Sequence, residues 1–124
     1  MKRKRLKRKA TSTTKADALF SKWIRERDGK CIRCGKTEYL QNSHFWPRGR
    51  SGTRYDPLNC DTLCYGCHYG NNNGWERMKQ GEYRTFKLNQ LGAEAYAKLE
   101  ERANVLFPRK KAIEEFMAWF SPIE

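Results

Sequence analysis

Four of the five cysteines form two Cys-x-x-Cys pairs, Cys31/Cys34 and Cys64/Cys67, and His68 stands directly after the second. Each pair can offer two thiolates to one ion from a tight turn, and two such turns complete a tetrahedron. Gly35 follows the first pair, where a residue free to take positive φ suits the turn. The set reads as a structural Zn²⁺ site, because four protein thiolates leave no open position on the ion for chemistry. Four thiolates and one Zn²⁺ also add about −2 to the formal charge. Cys60 reads as a small buried residue rather than a ligand. An odd cysteine count, with no apolar stretch behind the charged N-terminus, weighs against a disulfide framework and a secretory leader.

The separation of the pairs carries further information. A simple zinc ribbon places about 15 to 20 residues between them, whereas 29 lie between Cys34 and Cys64. The insertion contains the only other histidine, His44. Asn59 follows it by 15 residues and His68 lies 9 beyond Asn59. Zinc at the two knuckles would fix the direction of His68 relative to His44. One histidine taking a proton from water, and another holding a divalent cation against a phosphate, are the parts of metal-assisted phosphodiester hydrolysis. The cation stabilises charge developing on the phosphate and the leaving oxygen. The bland reading is a satisfied polar histidine at each position, with Asn59 capping a turn.

The stretch "SHFWPRG…DPLNCDTLCYGCH" resembles the HNH, or His-Me finger, endonucleases of the four-cysteine zinc type. The resemblance implies a ββα-metal core in which His44 is the general base and Asn59 tethers the loop and orients that base. It implies that His68 is the ligand of a catalytic cation, Mg²⁺ or Mn²⁺, and that Cys31, Cys34, Cys64 and Cys67 hold structural zinc. Within that group "NSHFWPRGRSGTRYDPLNCDTLCYGCHYGNNNG" is most similar to phage recombination nucleases of the NinG/Rap type, and "EYRTFKLNQLGAEAYAKLEERA" to their helical tail. The resemblance covers about residues 30 to 103. It implies a metal-dependent DNA endonuclease acting on branched or single-stranded DNA, in the cytoplasm of a bacterial or phage-infected cell. A junction-cutting enzyme severs two strands, which a homodimer would accommodate. One position departs from the pattern: Ser43 stands where the family carries an Asp or His as second metal ligand. A serine hydroxyl is a poor ligand, so either the cation leans on His68, phosphate oxygens and water, with Asn42 or Asn72 as candidate helpers, or catalysis is lost. The alternative function is therefore a non-catalytic zinc-finger DNA-binding protein; a weaker one is an RNA-binding accessory factor.

The elements that would position these residues follow from pattern. The 124 residues suit one small α+β domain, here 16–124, with a zinc-stabilised core at about 30–75 and a helical part at about 76–124. Net charge is +12, and eight of the basic residues fall in residues 1–15, which hold no acid. That stretch reads as a disordered basic arm suited to phosphates. "KADALFSKWIRERDG" reads as a helix with Leu19, Trp23 and Ile24 inward, stopped by Gly29. "TEYLQNSHFW" and "LNCDTLC" read as an antiparallel pair of strands, and "CYGCHYG" begins a short helix. Further helices are expected over "GEYRTFKLNQLG", ending at Gly92, over "AEAYAKLEERANVLF" with Tyr96 and Leu99 inward, and over "PRKKAIEEFMAWF". In the last, Ile113, Phe116, Met117 and Phe120 form a stripe suited to core. Arg48, Arg50 and Arg54 lie on the glycine-bearing loop after His44 and are candidate phosphate contacts. Trp46 reads as core. With no base-reading helix evident, DNA shape rather than sequence is the expected recognition. No apolar run is long enough for a membrane helix.

Overall fold

A computed structural model describes residues 12–70 and 73–120. The basic cluster Lys2 to Lys9 and Asn72 lie outside the described residues. The molecule is mixed α/β, with a two-stranded antiparallel sheet among four helices. Helix α1 (Ser12–Asp28) begins ahead of Lys15, so residues 12–15, expected in the basic arm, are helical. It buries Ala16, Phe20 and Ile24 at four-residue spacing, with Leu19 and Trp23 only partly covered. Gly29, at φ +68°, ends it in the left-handed conformation that a glycine adopts without steric cost.

Strand β1 (Leu40–His44) pairs with β2 (Cys60–Cys64), Leu40 opposite Cys64 and His44 opposite Cys60. All five β2 residues are buried, because helices cover both faces. On one side Thr62 is tied to α1: its N–H donates to the Asp28 carboxylate and its hydroxyl to the Ile24 carbonyl. On the other lies α3 (Glu82–Asn104), which sends Tyr83 and Lys87 to Asp61. Helix α3 is broken at Gly92 (φ +82°), where sequence marked the end of one helix and the start of the next. Helix α4 (Arg109–Trp119) packs Ile113 and Phe116 against Phe20, Ile24 and Tyr55, with Met117 and Phe120 partly buried beside them. The apolar stripe is thus intrachain core. A second cluster, around Phe45, Leu63, Trp75, Tyr83 and Tyr96, joins the hairpin and the cysteines to α3. Cys60 and Leu99 are fully buried, as expected. No described helix is long and apolar enough to cross a membrane.

The Asp61–Lys87 pair is the costliest feature of this packing. Both residues are 0 % exposed, with Lys87 Nζ 2.8 Å from Asp61 Oδ2. Desolvation is offset by further bonds: Nζ also donates to the Leu58 carbonyl and to Gln90, while Tyr83 and Gln90 donate to Asp61. Lys87→Met strands a buried carboxylate and is expected to cost about 3–5 kcal/mol. Urea unfolding measures this, and the double variant Asp61→Asn/Lys87→Met should be less destabilised than the single one.

Candidate active site and four-cysteine cluster

The two knuckles meet between the hairpin and the helices. Cys31 and Cys34 lie on the turn between α1 and β1; Cys64 ends β2, and Cys67 lies in the short helix α2 (Tyr65–Tyr69). Gly35 takes φ +84° and its N–H donates to the Cys31 carbonyl, closing the first turn. In the second, the Cys67 N–H donates to Cys64 Sγ. The four sulfurs lie within 4.8 Å of one another, and Cys34 Sγ is 3.7 Å from Cys64 Sγ. Zn–S bonds of about 2.3 Å in a tetrahedron separate sulfurs by about 3.8 Å, so the donor set fits a structural metal such as zinc. Burial works against a Cys31 thiolate, but hydrogen bonds to the backbones of Cys64, Cys34 and Arg33 outweigh it and bring its pKa to about 7.

Beside this cluster lies a cleft of about 440 Å³ whose walls carry both histidines. Helix α1 contributes Asp17, Phe20 and Arg25; β1 contributes Gln41, Asn42 and His44. Arg48 comes from the loop, His68 from α2, and Glu76 and Lys79 from the segment before α3. Asn42 and His44 share one face of β1 and Ser43 between them points away, while Gln41, of Ser43's parity, reaches the cleft through its contact with His68. Ser43 is fully buried and does not line the cleft, so its hydroxyl is not among the groups facing His68.

His44 ends β1 and is held by backbone. Its Nε2 lies 2.9 Å from the Arg54 carbonyl oxygen. A carbonyl only accepts, so Nε2 carries the proton and the neutral ring keeps its lone pair on Nδ1. Burial pushes the His44 pKa down to about 4, against the pull of that carbonyl, and the nearby Arg48 and Arg54 charges add to the depression. His44 is therefore a neutral imidazole with one nitrogen available to take a proton. Asn59 does not touch the ring. It accepts from the Trp46 N–H (2.8 Å) and donates to the carbonyls of Trp46 (3.0 Å) and Thr53 (3.1 Å). It pins the start of the loop to the stretch that presents the Arg54 carbonyl, which makes it a positioning residue.

His68 is 4 % exposed. Its Nδ1 is 2.8 Å from Gln41 Oε1 and its Nε2 is 3.4 Å from Glu76 Oε2. Burial lowers its pKa, opposed by the Glu76 carboxylate.

The three arginines separate. Arg54 is buried and forks onto Asp17, Nε to Oδ1 at 3.0 Å and Nη2 to Oδ2 at 2.6 Å. Burial disfavours the Asp17 carboxylate, but Arg54 outweighs it and holds its pKa low. Arg54 is committed to locking the loop onto α1 and has no donors free for a phosphate fork. Arg50 lies over the Trp46 ring and donates to Asn104 at 2.7 Å, tying the loop to α3. Only Arg48 stays largely free on the cleft rim, its Nη1 3.8 Å from Asp17. Trp46 is half-buried against the second core, in line with its expected role.

Sequence reading missed Asp17, Gln41 and Glu76. Asp17 meets Arg54 across 37 residues, Gln41 meets His68 across 27, and no spacing rule signals either contact. An acid eight residues past His68 in a basic chain was the one available hint for Glu76.

Two outcomes follow. Purified protein should carry one zinc per chain, and Cys34→Ser or Cys67→Ser should lose both the metal and the cooperative unfolding transition. The second concerns pH. The unfolded chain binds a proton at His44 near about pH 6.5 and the folded chain only near about 4. Stability owed to neutral His44 is present above about pH 6.5 and is lost as pH falls toward 4. Urea titrations between those values should show a steeper loss in wild type than in His44→Gln.

No protein-family model, curated protein or solved structure matches the chain.

Proposed function

We propose that the chain is a metal-dependent DNA endonuclease of the HNH type, with β1, β2 and α2 as its ββα-metal unit. The observation that carries the reading is one cleft holding both histidines, with the Nε2 of His44 engaged by a backbone carbonyl and its Nδ1 left to act. A neutral, partly buried imidazole held by its far nitrogen is the arrangement a general base needs.

A phosphate seated between His44 and His68 would meet the Arg48 guanidinium, with Arg25 and Lys79 on the same walls. His44 Nδ1 takes the proton of a water as that oxygen forms its bond to phosphorus. The bond to the leaving deoxyribose oxygen breaks on the opposite side, and that oxygen takes a proton from solvent. His68 would hold a divalent cation, Mg²⁺ or Mn²⁺, which would supply charge neutralisation at the phosphate and the leaving oxygen. His44 requires no deprotonation near neutral pH. No base-reading helix is evident among the described residues, which favours branched or single-stranded DNA recognised by shape.

Plasmid and four-way-junction DNA, incubated with Mg²⁺ or Mn²⁺ and then with chelator, test the proposal. Wild type should cut only with cation, His44→Ala should lose about 10²–10⁴-fold in rate, and His68→Ala should lose cutting while keeping its zinc. No cutting on any substrate with DNA binding intact would sink the nuclease reading and leave a zinc-dependent DNA-binding module. Arg48→Ala should weaken DNA binding and reduce its salt slope by about 1, whereas Arg54→Ala should chiefly lower stability.

A further inference from the structure

We propose that Glu76 is the second protein ligand of the cation held by His68, in the role that an acidic residue at position 43 would otherwise fill, with the Asn42 carboxamide oxygen as a third donor. The inference deepens the nuclease reading by assigning the ligands of its cation.

His68 Nδ1 lies 2.8 Å from Gln41 Oε1, and with the amide oxygen turned to the ring in this way Nδ1 carries the ring proton. The Nε2 of the neutral ring then turns a lone pair toward Glu76 Oε2, 3.4 Å away. Two lone pairs facing each other at that distance repel unless a positive centre, a proton or a cation, meets both. A hard divalent cation at about 2.1 Å from each ligand in octahedral geometry sets neighbouring donors about 3.0 Å apart, which the two side chains reach by a small approach from 3.4 Å. Gln41 then plays the part that orients a metal-bound histidine, accepting the N–H of its remote nitrogen. Tyr69, its ring centroid 3.9 Å from that of His68, limits the imidazole from one side.

Glu76 is suited to the task by its other contact. Lys79 Nζ is 3.0 Å from Oε1, which leaves Oε2 toward the histidine. A second, independent sign lies on β1: the Asn42 Oδ1 atom is buried, has no hydrogen-bond partner, and belongs to a residue of the same cleft wall. A buried oxygen without a donor is costly unless a cation or water meets it. A nitrogen, a carboxylate and an amide oxygen are a donor set that takes Mn²⁺ or Mg²⁺, in contrast to the four thiolates nearby.

The test is Mn²⁺ binding by the zinc-loaded full chain, followed through the loss of the free Mn²⁺ EPR signal, with cleavage of junction DNA measured in parallel. Circular dichroism and zinc content check that each variant is folded. Glu76→Gln and His68→Ala should each weaken Mn²⁺ binding by about tenfold or more. Asn42→Ala should weaken it less, and Lys79→Met, which removes a competing charge, should not weaken it. Wild-type affinity in Glu76→Gln, or no Mn²⁺ site in wild type at millimolar metal, overturns the assignment. Cutting by wild type in that case leaves the nuclease reading standing without Glu76. If Glu76-dependent Mn²⁺ binding appears and no DNA is cut, the cation site stands and the nuclease reading fails.

Discussion

The four-cysteine cluster is the constraint on which the remaining geometry depends. A two-stranded sheet of five-residue strands is marginal alone, and a five-residue helix cannot persist by propensity. Drawing Cys31 and Cys34 onto Cys64 and Cys67 closes the chain at the point where β2 becomes α2. Leu40 then lies opposite Cys64, which sets the register of the hairpin. With register fixed, the face of β1 bearing Asn42 and His44 is fixed too, and His68, one residue past Cys67, is brought against Gln41. A slip of one residue would turn His44 into the core and Ser43 into the cleft.

Around that frame the charges are arranged unevenly. The cleft gathers Arg25, Arg48 and Lys79, while its acids are engaged, Asp17 by Arg54 and Glu76 by Lys79. Both histidines are kept neutral by burial within this basic setting. Helix α1 serves two purposes at once: Phe20 and Ile24 build the core with α4, and Asp17, three residues before Phe20, anchors the loop. The elements that stabilise the molecule are thus the ones that aim the groups in the cleft.

Much of this was legible in the sequence because it obeys local rules. Cysteine spacing gave the knuckles, alternation gave the strands, and Gly92 and the Ile113 to Phe120 stripe marked breaks and faces of helices. Long-range polar partnerships were not legible. Lys87 looks in the sequence like any helical lysine, and only the fold shows it fully buried against Asp61. Arg54 sits among residues typical of a phosphate-binding loop, yet its charge is spent inside the molecule on Asp17. Arg48, two residues after Trp46, shares that composition and remains exposed. Composition identified the loop as basic; packing decided which of its arginines face outward. The arm expected before α1 illustrates a different limit, for helix α1 extends to Ser12 with none of the acidic first-turn residues that usually announce a start.

The bond from His44 to the Arg54 carbonyl has an evolutionary side. Every residue type has a backbone carbonyl, so no substitution at position 54 can delete the group that orients the ring. A change of loop length can. The segment from Trp46 to Asn59 is closed at both ends by Asn59 and seated midway by Gly52, whose Cα lies too close to the Arg102 carbonyl to admit a Cβ. Adding or removing one residue would displace the carbonyl while leaving every side chain of the cleft intact. Outside Gly52, Arg54 and Asn59 such a loop can drift in composition, and with it in the surface it offers to a partner, provided its length is kept.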